Sequence, residues 1–359
     1  MLEIDSAAVL DAPSSSRTPK KRRALTGSDE AQNPRKSIEV QPLPRWVTAG
    51  ASAERDKPDR AADAQFFAGA ALARLDVIMR SGEGGAGPVF VGALRQRLAL
   101  KAAATCARLA RLREDEAALR DAEHLSGVGA ETSPAGRLHR LWRLFASPCL
   151  RLDTTMLRGA AALVGLPENA VLDALADAIR DVVARSAHPL AAATNASAAA
   201  AELLEDAPAV DVEILALFLS DLVLAKQLGW ERPVPLIATA IGHLSLRRGA
   251  SGKRPRPGDV DWAKSTVAAS AYAALDAAVL AADLARRSER LLAAAPNLRA
   301  KGALRVVELL LADDAVAPAR AARVAGLSDR ASRRLFERLV ELNAVRELSG
   351  RQSFRLYGL

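Results

Sequence analysis

Cysteine is nearly absent: Cys106 and Cys149 are the chain's two, far apart and in no CxxC pair. That leaves neither a disulfide framework nor a zinc knuckle to argue for, and it fits a reducing cytoplasm. Aromatic residues make up only 4% of the chain, which disfavours sheets rich in Tyr, Phe and Val. Long apolar runs are also scarce. Arginines interrupt the alanine-rich stretches before the ~18 to 20 residues that a membrane span needs, so no membrane segment is expected. Glu3 and Asp5 stand where a signal peptide would carry its basic start.

What the chain has is alanine, arginine and length. At 359 residues, with 50% apolar and 26% charged, it can bury more than one core, and an all-helical body packed through small residues is the default. Net charge is +8, and its position matters more than its size. From Asn297 to Leu359 there are twelve basic residues against seven acids, so an excess of five sits in the last sixth of the chain. A localised surplus of this kind is what phosphate neutralisation requires.

Residues 1 to 60, with Ser14-Ser15-Ser16, scattered prolines and mixed charge, read as a disordered tail. Its run Arg17-Thr18-Pro19-Lys20-Lys21-Arg22-Arg23 suits a solvated tail or weak nucleic-acid affinity. Residues 61 to 296 parse into helices: Ala61 to Arg80, Val89 to Arg113 and Glu114 to Leu125. Another is capped by Ser133 ahead of Pro134, and the next is opened by Asp153 and closed by Gly165. Then follow Pro167 to Ser186, Pro189 to Leu204, a strongly apolar Asp211 to Leu228, and Leu236 to Leu246. Last comes a long helix from the cap Asp259 to Leu292. A sub-boundary is expected near 127–133 or 247–258. The second of these holds an exposed basic loop with Arg247, Arg248, Lys253, Arg254 and Arg256.

The last segment, 297–359, carries the sharpest pattern. A first helix from Leu298 to Leu311 places Leu304, Val307, Leu310 and Leu311 on one face; a second starts at Pro318 and stops at Gly326. Ser328 caps a third, in which Ala331, Leu335, Leu339 and Leu342 face inward and Asp329, Arg330, Arg333 and Glu337 outward, with Arg334 at the edge. The period then changes from 3.6 to 2, and Val345 to Leu348 and Gln352 to Tyr357 form a hairpin about Ser349-Gly350-Arg351. This is the order of a winged helix-turn-helix. Arg330, Arg333 and Arg334 become candidate readers of the major groove, with Ser328, Arg351 and Arg355 as further DNA contacts. Two features pull the other way: Ser332 sits where such motifs usually carry an aliphatic residue, and Glu337 adds a negative charge to the presented face. A protein-docking module with solvated arginines fits the same pattern.

Four runs carry a family resemblance: Arg97-Leu98-Ala99-Leu100-Lys101-Ala102-Ala103-Ala104, Glu114-Asp115-Glu116-Ala117-Ala118-Leu119-Arg120-Asp121-Ala122, Gly229-Trp230-Glu231-Arg232-Pro233-Val234-Pro235-Leu236, and the close from Arg346 to Leu359. Over about residues 40 to 359 the chain resembles the bacterial family known as domain of unknown function 1403. The resemblance implies an architecture and supplies no catalytic residues. The C-terminal half is also similar to bacterial proteins with a Fic-like body ahead of a terminal helix-turn-helix.

Fic-type adenylyl transfer needs a His base, a nearby acid for Mg²⁺, glycine-borne amides and an Arg. His188-Pro189-Leu190-Ala191-Ala192-Ala193-Thr194-Asn195 offers the histidine alone and reads as a helix start with an exposed or capping His. Asp121 and His124 have the i, i+3 spacing of a metal-ligand pair, but no second pair accompanies them near His139 or His243. Gly82 to Pro88 lacks the Lys and Ser/Thr of a phosphate-binding loop.

The expectation is therefore a mainly α protein: a multi-helix bundle body followed by a C-terminal winged helix-turn-helix domain with a short β-hairpin. Its expected role is a non-enzymatic, cytoplasmic, DNA-binding regulator without cofactor, metal or membrane contact, whose body oligomerises or receives a protein partner. The other reading is a non-catalytic helical scaffold with a degenerate Fic-like body and a docking winged helix.

Overall fold

The computed structural model describes residues 60–359 apart from 126–131, 147–150, 170, 232, 248–251 and 352. The tail with its basic run, Cys149, Arg248 and most of the 127–133 sub-boundary lie outside the described residues. The chain divides into two compact units, Met1–Lys36 and Ser37–Leu359, and every described residue belongs to the second.

Thirteen α-helices and two short strands are found among the described residues. The helices are α1 Arg60–Met79, α2 Val91–Leu109, α3 Glu116–Leu125, α4 Pro134–Arg143, α5 Thr154–Val164, α6 Val171–Arg185, α7 Pro189–Leu203, α8 Ala209–Gln227, α9 Ile237–Ala240, α10 Trp262–Ala294, α11 Ala303–Ala312, α12 Pro318–Ala325 and α13 Asp329–Glu341. The strands are β1 Arg346–Glu347 and β2 Tyr357–Gly358. The protein is mainly helical, as its composition suggests.

Polar caps set many of the boundaries. Ser133 accepts the Gly136 N–H at 3.1 Å, Asp153 accepts that of Met156 at 2.9 Å, and Gly165 ends α5 in the left-handed region. His188 caps α7: its Nδ1 accepts the Ala191 N–H at 3.2 Å, ahead of Pro189 at the first helical position.

Elsewhere the boundaries move. α6 begins at Val171 rather than Pro167, and the stretch 236–246 splits into α9 and a 3-10 turn at Leu244–Leu246. Asp259 accepts the Arg256 N–H, inside the preceding turn, so it does not cap α10. α10 is also more apolar than expected, because residues 265–282 carry one charge, Asp276. By length and composition it is long and apolar enough to cross a membrane; in the structure it packs along α1 and against α7, α9 and α2.

The core explains the alanine content. Ala102, Ala103, Ala104, Cys106 and Ala107 of α2 are buried, and that helix touches α3, α4, α9, α10 and α11. Side chains this small let several helices crowd one axis. α8 is buried nearly all round from Val212 to Ala225, and Trp142, Phe145 and Phe218 pack ring on ring at 5.3–5.9 Å.

The last sixty residues share this core. Val306, Val307, Leu310, Leu335, Phe336, Leu339 and Tyr357 belong to the same apolar cluster as the body helices. The close approach rests on Gly92 in α2, where an added Cβ would lie 2.6 Å from the Ala312 backbone. Two sequence expectations shift here. Gly302, at φ +98°, delays α11 to Ala303, and its buried face becomes Ala303, Val306, Val307 and Leu310, leaving Leu304 exposed. The hairpin pairs Arg346 with Gly358 and Glu347 with Tyr357, and the Leu348 N–H donates to the Leu356 carbonyl at 2.8 Å, so its connection is longer than a three-residue turn. Val316 also bridges to Tyr357 from the α11–α12 link.

Candidate nucleic-acid interface

The α12–turn–α13 unit is fixed by local chemistry. Pro318 opens α12, and Gly326, at φ +66°, ends it in a conformation that costs glycine little. The Ser328 hydroxyl then accepts the Ala331 N–H at 3.2 Å and starts α13. Ser332 is fully buried, and its hydroxyl donates to the Pro318 carbonyl at 2.7 Å. The polar residue in an aliphatic slot thus ties the second helix to the first turn of its partner. Leu335, Phe336 and Leu339 fill the interior beside it, with Phe336 stacked on Tyr357 at 4.6 Å.

With that face buried, α13 turns Ser328, Arg330, Arg333, Arg334 and Glu337 outward, all exposed. Arg330, Arg333 and Arg334 make no ion pair among the described residues, whereas Arg338, on the same helix, pairs with Glu341 at 3.0 Å. Arg351 and Arg355 are exposed on the hairpin connection. Arg355 donates through Nε to the Arg351 carbonyl at 3.2 Å, and Arg351 is tied to Asp121 of α3 at 2.5 Å.

The second basic group is divided. Arg247, Lys253 and Arg256 are exposed. Arg254 is largely covered and bonded to the buried Glu213, which Arg256 also approaches at 3.4 Å. Removing one partner of a buried ion pair strands the other charge, so Arg254 serves the fold as a clasp between this loop and α8.

Sequence reasoning missed the polar cluster behind the interface. Asp313 and Asp314, at the end of α11, are both buried. Asp314 accepts from Arg120 Nε at 2.7 Å and lies 3.0 Å from His124 Nε2. Asp313 accepts from Arg143 at 3.3 and 3.4 Å and from Arg320 at 2.5 Å, and it caps the Asp314 N–H at 2.9 Å. Glu123 holds the other side of Arg143 at 3.3 Å. Burial alone would raise the Asp314 carboxyl pKa, but the His124 and Arg120 contacts outweigh it and hold the group below the usual carboxylate range. His139, deep in α4, is driven the other way: burial, then the neighbouring Arg143 charge, lower its pKa to about 4, so the imidazole stays neutral.

Donor atoms of His124, Asp313 and Asp314 lie within 4.8 Å of one another, the geometry of a possible cation site. Every carboxylate oxygen there is already taken by a cationic, ring or backbone donor. A further unit positive charge about 4 Å from a guanidinium costs about 4 kcal/mol at an effective dielectric near 20, and three guanidiniums surround these two carboxylates. The arrangement is best understood as an ionic clamp between α3–α4 and the α11–α12 link. Asp121 and His124, paired by spacing in the sequence, point to different partners: Arg351 and Asp314.

The fold and its surfaces thus define a mainly helical protein whose last helices and hairpin are clamped to the body and present outward three arginines, Arg330, Arg333 and Arg334, without ion pairs among the described residues. The chain belongs to the family described as protein of unknown function DUF1403, whose model matches residues 32–359. No curated protein matches the chain.

Proposed function

We propose that the protein is a DNA-binding regulator that uses residues 297–359 as a winged helix-turn-helix, with α13 as the recognition helix and the α1–α10 body for oligomerisation or partner binding. The element order supports this reading: α11, the Val316 bridge strand, α12, α13 and the β1–β2 hairpin follow one another as in such domains. The observation that carries it is the state of the α13 arginines. Arg330, Arg333 and Arg334 are exposed and free of ion pairs among the described residues, while Arg120, Arg143 and Arg320 behind them are all consumed by carboxylates. Exposed unpaired guanidiniums along one helix suit guanine edges and phosphates.

The test is a titration of the full chain with duplex DNA across a range of salt. We expect affinity to fall as salt rises, with a slope of about 0.9 per neutralised phosphate. The double variant Arg333→Glu, Arg334→Glu should lose binding while keeping its circular dichroism and melting temperature. A wild-type chain whose affinity is flat with salt, or that does not bind at all, refutes the reading.

The second reading keeps the same fold as a non-catalytic scaffold related to Fic-like proteins, in which the winged helix docks protein. Its support is the use of His188 as a helix cap, with Nδ1 occupied by the Ala191 amide, and the tie of Arg351 to the body. In either reading the protein works without catalysis, in the cytoplasm. Adenylyl transfer abolished by His188→Ala would contradict that.

A further inference from the structure

The hairpin connection carries an aromatic ring that neither packing nor backbone preference explains. Phe354 is 75% exposed and sits at φ +56°, in the left-handed region where a bulky residue is uncommon and strained. A glycine would relieve that strain, and a polar residue would remove the cost of a wet aromatic face. Both local terms oppose Phe at this position, so the side chain calls for a partner outside the chain.

The backbone around it is held in place. Leu356 donates its N–H to the Ser349 hydroxyl at 3.2 Å, Leu348 donates to the Leu356 carbonyl at 2.8 Å, and Arg351 is anchored to Asp121 at 2.5 Å. The ring is therefore presented at a defined place, with Arg351 three residues before it and Arg355 next to it. Between Arg346 and Leu359 there are three arginines and one acid, Glu347, so the partner should be anionic around an apolar slot. Duplex DNA has that chemistry: two phosphate rims flank stacked bases, and apolar wedges entering the minor groove partly unstack a base step.

We propose that Phe354 is the wedge of the wing, entering the minor groove of duplex DNA between base pairs while Arg355, and Arg351 where it exchanges Asp121 for DNA, meet the phosphates on either side. This rests on the DNA-binding reading above and adds a stacking contact to it.

The experiment uses the full chain, a mixed-sequence duplex carrying 2-aminopurine, and the variants Phe354→Gly and Phe354→Trp. Glycine suits φ +56°, so Phe354→Gly should melt at or above the wild-type temperature. It should bind about tenfold more weakly, within the range for losing one aromatic–base stack. Its salt slope should match wild type because no charge is removed, and the 2-aminopurine fluorescence rise on binding should vanish. Phe354→Trp should keep both affinity and fluorescence rise. If Phe354→Gly binds and unstacks DNA as wild type does, while Arg333→Glu, Arg334→Glu fails to bind, the wedge is overturned and the DNA reading stands. If the wild-type chain shows no salt-dependent affinity, the DNA reading fails and the wedge with it. A lower melting temperature for Phe354→Gly would overturn the premise that the ring is held there against local strain.

Discussion

The terminal segment meets two sets of arginines, and they are treated in opposite ways. Behind it, Arg120, Arg143 and Arg320 converge on Asp313 and Asp314, with side chains 15–33% exposed against carboxylates 1–4% exposed. In front of it, Arg330, Arg333 and Arg334 stand in water without ion pairs among the described residues. The same residue type is therefore structural on one side and available on the other. What differs is where the acids lie. The buried pair of aspartates draws one set inward, while the outward face of α13 offers Glu337 beside three cations. A surface arginine contributes little to stability whichever way it points, whereas a buried carboxylate stripped of its cation is costly. The two sets should separate cleanly under mutation.

The largest effect is expected at the clamp. Asp314→Ala removes the partner of Arg120 and His124 at a site 1% exposed and should cost about 3–5 kcal/mol in urea unfolding, the range for breaking a buried pair. The outward arginines should instead tolerate substitution within about 0.5 kcal/mol, as ordinary surface sites do. An Asp314→Ala chain as stable as wild type would erase the contrast.

Acid should strike the same side of the molecule. The His139 pKa is lowered to about 4 from 6.5, so the unfolded chain takes up a proton at a higher pH than the folded one. The His139 contribution is thus lost as pH falls from 6.5 to about 4, by about 3 kcal/mol in all, and no further below that. The buried Asp221 carboxyl, pushed up to about 7 by burial, contributes in the opposite sense over much of the same range. The depressed Asp314 carboxyl acts in the same direction as His139 at lower pH: its contribution is present above the unfolded carboxylate value near 3.9 and disappears as pH drops through the folded one. Measured against wild type, His139→Phe should remove the His139 contribution, so the difference in melting temperature between the two chains should change between pH 6.5 and 4 in favour of the variant. A constant difference across that range would mean that the imidazole is not held neutral by burial. A smaller loss, about 1 kcal/mol, is expected for Ser332→Ala, which removes the hydroxyl bonded to the Pro318 carbonyl.

These expectations also show which parts of the molecule were legible in the sequence. The α12–α13 unit was, because its signals are local: Pro318, Gly326 and Ser328 each act within four residues, and the apolar spacing of Leu335 and Leu339 sets one buried face. The start of α11 was not, because Gly302 can enter the left-handed region and end the preceding turn, which shifts the buried face off Leu304. The clamp was illegible for another reason. Asp313 and Asp314 follow the first helix of the last segment, and Arg120 and His124 lie on the helix from Glu114 to Leu125, with nothing in either stretch to pair them until the fold closes 190 residues between His124 and Asp314. Arg254 likewise reads as loop charge until Glu213 is placed beneath it. Chemistry that depends on partners distant in sequence leaves no spacing to read.

The smallest effect is the most informative about how the two arginine sets meet. Arg351 belongs to both: it lies on the hairpin that faces outward, yet it is bonded to Asp121 of α3, next to the Arg120 and about one turn from the His124 that hold Asp314. With Arg351 54% exposed, that pair contributes at most about 1 kcal/mol, so Asp121→Asn should leave the melting temperature nearly unchanged. Under the DNA reading it should also release Arg351 to a phosphate, tightening binding about threefold and steepening the salt slope by up to about 0.9. Arg351→Ala should flatten the slope instead and make a second change at Asp121 silent, because the two residues then act through a single contact. If Asp121→Asn weakens binding, the tie is part of the DNA-bound geometry and Arg351 belongs with the structural set. If it strengthens binding, the body competes with DNA for the hairpin, and the boundary between structural and available arginines runs through this one residue.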